Sequence, residues 1–255
     1  MTRRRGSAGV ADLYDRIGGG YVTTRRADAR IAALIDAALG DAVSVINVGA
    51  GTGNYEPIAR RVIAVEPSQA MIAQRRPDAG MAVRAHAEAL PFADGTFDAA
   101  MAVWTVHHWS DWRAGLREMR RVAQGRIVIA TWDPSFHGSF WLTREYLPEA
   151  AESDTRSFPS LAQLLQALGG GDVTTIPVPN DCSDGFMAAH WARPEALLDR
   201  DVQANISTFA RLPAAIVDRA LAALRRDLDT GEWDHRHGHL RHLPELDLGY
   251  RLVTA

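Results

Sequence analysis

Val45-Ile46-Asn47-Val48-Gly49-Ala50-Gly51-Thr52-Gly53-Asn54 reads as a buried strand that runs into a glycine-rich turn and on into a helix. Glycine is needed there for a steric reason. Without Cβ atoms, Gly49, Gly51 and Gly53 can take positive φ and let a ligand lie against the backbone, while the following helix offers its first N–H groups to an anion. Glu66 closes the next apolar run, Val62-Ile63-Ala64-Val65-Glu66-Pro67, and a carboxylate at that strand end can accept both hydroxyls of a ribose. Strand, loop, helix, strand and terminal acid in this order point to a nucleotide-type cofactor.

Outward from this stretch, short β-branched or apolar runs recur at residues 43–48, 62–65, 81–84, 97–103 and 126–132, separated by helix-length spacers. They predict five parallel strands. Ahead of them, Ile31, Leu34, Ile35, Ala38 and Leu39 repeat at helical spacing and Gly40 ends the stretch. After Asp133-Pro134 the rhythm breaks, and an aromatic-rich segment with a helical pattern at 160–168 reads as a cap. Runs at 173–178 and 246–253 predict a sixth and a seventh strand, with a mostly helical insert between them that includes residues 214–228. The predicted fold is α/β: a Rossmann-like, seven-stranded, mostly parallel sheet with helices on both faces and a mostly helical cap or insert near the C-terminus.

Composition removes other classes. The chain has 255 residues, and 28 Lys+Arg against 31 Asp+Glu leave a net charge of −3. That balance lacks the positive field of a phosphate-backbone binder, so no nucleic-acid partner is expected. The single cysteine, Cys182, supports neither an internal disulfide nor a cysteine-based zinc site, and a reducing cytoplasm is the expected compartment. Arg3, Arg4 and Arg5 precede Gly6-Ser7-Ala8-Gly9-Val10, which is not an apolar run of signal-peptide or membrane-helix length, so no membrane partner is expected either. Oligomeric state stays open.

Several motifs cluster around the loop: Val48-Gly49-Ala50-Gly51-Thr52-Gly53, Glu66-Pro67-Ser68 with Met71, Ala87-Glu88-Ala89-Leu90-Pro91-Phe92, Phe97-Asp98, and His107-His108-Trp109. In these residues the chain, over about 12–134, resembles the class I S-adenosylmethionine-dependent methyltransferases, in particular the small-molecule group that includes ubiquinone-biosynthesis and trans-aconitate methyltransferases. The resemblance implies S-adenosyl-L-methionine as cofactor and a small-molecule acceptor methylated at O, N or C. It places Gly49, Ala50, Gly51 and Gly53 against the methionine portion, Glu66 with Pro67 at the ribose, Met71 on the adenine, and Ala87 at the adenine edge. His86 stands where the family often has an acid, which leaves Glu88 as the side-chain partner of the adenine. Within the N-terminal arm Tyr14 and Tyr21 flank Asp15-Arg16-Ile17-Gly18-Gly19-Gly20, and since relatives often fold a comparable aromatic segment over the cofactor, the resemblance makes the arm a candidate lid. The implied division is an arm or lid at 1–30, a cofactor-binding core at 31–134, and a cap, insert and last two strands at 135–255.

Other residues are candidates on chemical grounds. His107 and His108 follow the fourth strand and could take a proton from the acceptor, or they could simply pack. Trp104 could wall off the sulfonium with its ring face. Arg25 and Arg26 could fork onto the cofactor carboxylate or onto an acidic substrate, with Arg26 the site candidate. His235, His237 and His239 alternate, but Gly238 among them predicts a loop and no metal site is expected. Two other functions stay in view: a catalytically inactive cofactor-binding module that serves interaction, and a nicotinamide-dependent oxidoreductase, though Asn54 stands where a dinucleotide fingerprint wants Gly or Ala.

Overall fold

The structure, a computed structural model, describes residues 25–255. Tyr14 and Tyr21 lie outside the described residues. Helix α1 (Ala29–Ala38) starts where Asp28 caps it by accepting from the Arg30 amide, and it buries Ile31 and Ile35. Strands β1 (Ser44–Val48) and β2 (Arg61–Val65), helix α2 (Gln69–Ala73), strands β3 (Met81–Val83) and β4 (Ala99–Val103), helix α3 (Trp112–Val122) and strand β5 (Ile127–Trp132) follow. Next come α4 (Pro148–Ser157), α5 (Leu161–Leu168), β6 (Asp172–Thr175), β7 (Val178–Pro179), α6 (Arg200–Ala204), α7 (Ser207–Arg211), α8 (Ala214–Asp229), α9 (Glu232–His237), β8 (Glu245–Leu246) and β9 (Tyr250–Thr254).

Seven strands form one sheet in the order β3-β2-β1-β4-β5-β9-β6. β1 to β5 pair in parallel, and β9 runs antiparallel to both β5 and β6. Strand periodicity sends alternate side chains to opposite faces. Val45, Met101 and Ala130 join α1 and the cap in one core cluster, whereas Ile46, Ala102 and Ile129 join α3 and α5 in the other. Helices therefore cover both faces, and the strands between them are apolar on both sides.

Three local expectations need correction. No helix links β1 to β2: residues 51–60 are turns and bends, because Gly51, Gly53 and Pro57 within a few residues oppose a continuous helix. The long spacer before β4 is likewise coil instead of helix. The runs 173–178 and 246–253 both split, since β6 ends at Thr175 and β9 starts only at Tyr250, while Val178 pairs with Leu246 in a separate two-stranded ribbon. Pro179, which has no N–H, suits a short ribbon of this kind.

Candidate active site

The strand order turns at β1, which has β2 on one side and β4 on the other, and the loops after these three strands converge at one sheet edge. They border a cavity of about 220 Å³ that continues beneath the cap. Gly49, at φ +72°, accepts no side chain: a Cβ there would lie 2.1 Å from Thr105 Oγ1. Its amide and that of Ala50 donate to the Val65 carbonyl at 2.8 and 3.0 Å, so the loop is pinned to the end of β2. Glu66 holds the loop from the other side. Its Oε2 accepts from the Gly51 amide at 2.8 Å, and its Oε1 accepts from the Ser68 amide at 2.9 Å. Ser68 in turn caps α2 by accepting from the Met71 amide.

Beneath the loop lies a buried ion pair. Arg75 Nη2 is 2.6 Å from Glu56 Oε2, Asn47 Nδ2 donates to Glu56 Oε1 at 3.1 Å, and Arg75 Nη1 donates to the Gly51 carbonyl at 3.3 Å. A Cβ on Gly53 would come within 3.0 Å of both Arg75 and Glu56. Gly53 thus supports the loop from behind, while Gly49, Ala50 and Gly51 reach the cavity wall.

The wall also includes Glu66, Pro67 and Met71 on the β2 side, and Ala87, Glu88 and Trp104 on the β3 and β4 side. Glu88 Oε1 is engaged by Ser110 Oγ at 2.7 Å and the Asp111 amide at 3.0 Å, which holds the carboxylate against the loop after β4. Arg26 is exposed and not in the wall; Arg25 takes the inward position. Arg25 Nε donates to the fully buried Asp184 at 2.5 Å, and Tyr55 Oη donates to the same carboxylate at 2.8 Å. The segment before α1 is thereby tied to the cap loop.

Aromatic side chains dominate the cap end. Trp104 takes φ +55°, a strained value for a residue with a Cβ, and packs edge-on against Tyr250 at 5.2 Å. His107 stacks on Phe158 at 3.8 Å and touches His108 at the same separation. Both imidazoles line the cavity. Burial pushes the His107 pKa well below its usual range, helped by His108 and Arg211. Burial, with Arg211 and Arg25 nearby, lowers His108 to about 3. Each is neutral at physiological pH and a weak proton acceptor. The sequence reading missed Asn47, Thr52, Asp154 and Arg211 in this wall. Only Asn47 carried a signal, as a polar residue inside an apolar strand.

The alternating histidines fall on a helix and not a loop. α9 ends at His237, whose ring is buried and within 2.9 Å of Glu145 Oε2, while His235 and His239 are exposed. Helical spacing separates residues two apart, so the three share no face.

Residues 46–129 match the methyltransferase domain family. A solved structure from Anabaena variabilis, described as a methyltransferase from an antibiotic biosynthesis pathway, superposes with a TM-score of 0.85 at 33% identity, covering 91% of this chain and 98% of that one. The demethylmenaquinone methyltransferase of Corynebacterium urealyticum is 32% identical over 182 residues, which is 62% of this chain and 78% of that protein. The chain belongs to the class I S-adenosylmethionine-dependent methyltransferases. The geranyl diphosphate C-methyltransferase of Streptomyces coelicolor, solved with S-adenosyl-L-homocysteine, shares the fold at a TM-score of 0.50 and 15% identity, covering 88% of this chain and 74% of that one. As a methyltransferase the chain is an enzyme that uses S-adenosylmethionine, which sets aside the oxidoreductase reading. Its cavity fits that donor. Asn47 Oδ1 and Thr52 Oγ1 are buried beside the glycine loop with no hydrogen-bond partner among the described residues, and a ligand with an amino group and hydroxyls supplies one. Among the described residues no helix is long and apolar enough to cross a membrane.

Proposed function

We propose that this methyltransferase acts on a small organic molecule, at an oxygen, nitrogen or carbon atom, within the cavity that joins the glycine loop to the aromatic cap. In this reading Gly49, Ala50 and Gly51 carry the amino-acid end of the donor, with Gly53 supporting the loop, Glu66 beside Pro67 accepts from its ribose, Met71 packs on its adenine, and Ala87 and Glu88 border the adenine edge. When bound, the donor supplies a methyl group on a sulfonium that departs readily as a neutral thioether. The chain then has little covalent work to do. Its residues hold two reactants at near-attack distance and keep water out, effects that together reach roughly 7–11 kcal/mol. Trp104 offers a ring face to a cation, and its strained backbone is the sort of feature that persists at working sites.

The observation that carries this reading is the continuity of the cavity: Gly51 and Glu66 border it at one end, Phe158 and Tyr250 at the other. A cavity under a cap suits a small organic acceptor, and the relatives named for demethylmenaquinone and for an antibiotic pathway are in keeping with an organic molecule as against a protein or a nucleic acid. Incubating the protein with methyl-labelled donor and fractionated metabolite extracts tests it. Label is expected in low-mass organic products. Label found in protein or nucleic acid alone defeats the proposal.

A further inference from the structure

At the cap end of the same cavity a carboxylate and a guanidinium sit side by side. Asp154 projects from α4 and is buried, Arg211 ends α7, and both line the wall. Arg211 Nη2 donates to Asp154 Oδ1 at 2.7 Å and to Thr208 Oγ1 at 3.3 Å. Oδ2 of Asp154 has no hydrogen-bond partner among the described residues. We propose that Asp154 is the catalytic proton acceptor of this site, that Arg211 is its positioning residue, and that the methyl acceptor is a hydroxylated aromatic molecule. The proposal rests on the small-molecule reading above and deepens it.

The choice of base follows from its neighbours. His107 and His108 face the same space, but burial and Arg211 leave them with little affinity for a proton. Tyr250 is driven the other way, by burial first and then by Asp154, so it keeps its proton. Asp154 is held up at about 6, because desolvation outweighs Arg211, and it can therefore both take and release a proton near neutrality.

The acceptor class follows from what the wall leaves unsatisfied. Trp104 Nε1, His107 Nδ1, Asn205 Oδ1 and Arg211 Nε are buried polar atoms without a partner among the described residues, and all four residues border the cavity. Buried polar groups normally find partners, so a ligand oxygen that both donates and accepts is the natural complement. Phe158, Phe186 and Tyr250 supply faces and edges for a ring. An aliphatic amine fits poorly, because near neutrality it is an ammonium that accepts no hydrogen bond and leaves the Trp104 Nε1 and Arg211 Nε donors without a partner. An aromatic hydroxyl keeps its proton at that pH and needs a base.

The step balances. The acceptor O–H bond breaks, its proton passes to Asp154 Oδ2, and the electron pair stays on oxygen. That pair makes the new O–C bond to the methyl carbon, and the pair of the old C–S bond leaves with sulfur. Asp154 then gives its proton to water.

p-Nitrophenol is a suitable probe, because its anion is yellow and it ionises near neutrality. The wild-type protein is expected to bind it with saturation and in the neutral form, since the Asp154 carboxylate accepts from the hydroxyl and disfavours a second anion. In Asp154→Asn the Arg211 charge is no longer balanced, and the bound probe is expected to ionise at least about one pH unit lower. In methyl transfer to a panel of hydroxylated aromatics, the same variant is expected to lose about 100-fold or more in kcat with little change in KM. Its affinity for S-adenosylhomocysteine is expected to stay at the wild-type level, which shows that the fold is intact. If Asp154→Asn does not fold, Asp154→Glu carries the test, with kcat lowered and the wild-type bound spectrum kept.

No saturable phenol binding by the wild type, identical bound spectra in Asp154→Asn, or methyl transfer confined to amines overturns the proposal while leaving the small-molecule reading intact. Absence of any labelled small-molecule product fails that reading instead.

Discussion

The Gly51 amide donates to Glu66 Oε2 at 2.8 Å, so the acid at the end of β2 props up the glycine loop at the end of β1. Through its other oxygen Glu66 holds the Ser68 amide and hence the start of α2, which brings Met71 into the wall. One buried carboxylate therefore orders three parts of the proposed donor site.

Glu66→Ala is consequently expected to damage binding more than folding. A hydrogen bond to a charged group is worth about 1.5–3 kcal/mol, and 1.4 kcal/mol is tenfold in affinity. Loss of the contacts to a ribose and slackening of the loop should weaken S-adenosylhomocysteine by about 10- to 100-fold or more. Calorimetry on wild type and variant checks this. Equal affinity removes Glu66 from the site.

Gly49 and Thr105 are expected to be coupled. Gly49→Ala forces a Cβ into a left-handed backbone and against Thr105 Oγ1, which should cost about 2–4 kcal/mol of stability. Thr105→Ala removes Oγ1 and Cγ2 but leaves its own Cβ 2.9 Å from the new methyl, so the double variant should recover part of the loss and not all of it. Urea unfolding of the two single variants and the double variant reads the interaction directly. Strict additivity counts against a clash at this point.

The Arg75–Glu56 pair supports the loop from below. Arg75→Met strands the Glu56 carboxylate in a buried place and removes the donors to the Gly51 and Gly80 carbonyls. Breaking a buried pair from one side typically costs about 3–5 kcal/mol. The expected result is a much lower midpoint of unfolding, with donor affinity lowered as well because Gly51 loses its anchor. An unchanged midpoint rules out this supporting role.

These relationships show which features the sequence could carry. β1 to β5 are legible because short, nearly continuous apolar runs, buried on both faces in β1, β4 and β5, are written in adjacent residues, and the loop between β1 and β2 is legible because its left-handed backbone angles favour glycine. The order of the last two strands is not. Nothing local says that β9 inserts between β5 and β6, and the splitting of the run 173–178 depends on pairing with Leu246, far away in the chain. The helix expected after Gly53 does not form, because the glycines that make the cradle also break helices. Arg25 and Asp184 are separated by 159 residues and Asp154 and Arg211 by 57, so the folded topology alone brings each pair together. Asp154 falls four residues after Ala150 on the buried face of α4, a spacing that becomes informative only once that face is known to meet a cavity.

His107 supplies the last prediction, because its ionisation is linked to folding. A histidine buried in the neutral form binds fewer protons folded than unfolded, so its contribution is complete above about pH 6.5 and is lost as pH falls. His108, lowered to about 3, and His190, lowered by burial to about 4, act in the same sense. Asp154 acts oppositely, since its rise from 3.8 to about 6 favours the folded state as pH falls through that window. The drop at His108 alone exceeds that rise, so the protein is expected to lose stability between pH 7 and pH 5. His107→Phe keeps the stack on Phe158 and removes one titrating ring and its unpaired Nδ1. Its unfolding free energy should equal or exceed the wild-type value at pH 7 and fall less steeply below pH 6.5. Its methyl-transfer pH profile should keep the wild-type shape, because a neutral, weakly basic imidazole has no proton to exchange there. Denaturant titrations at pH 7, 6 and 5, together with labelled-methyl rates over the same range, separate the two effects. A steeper acid loss in the variant contradicts the linkage, and a vanished acid limb in the rate returns His107 to the chemistry.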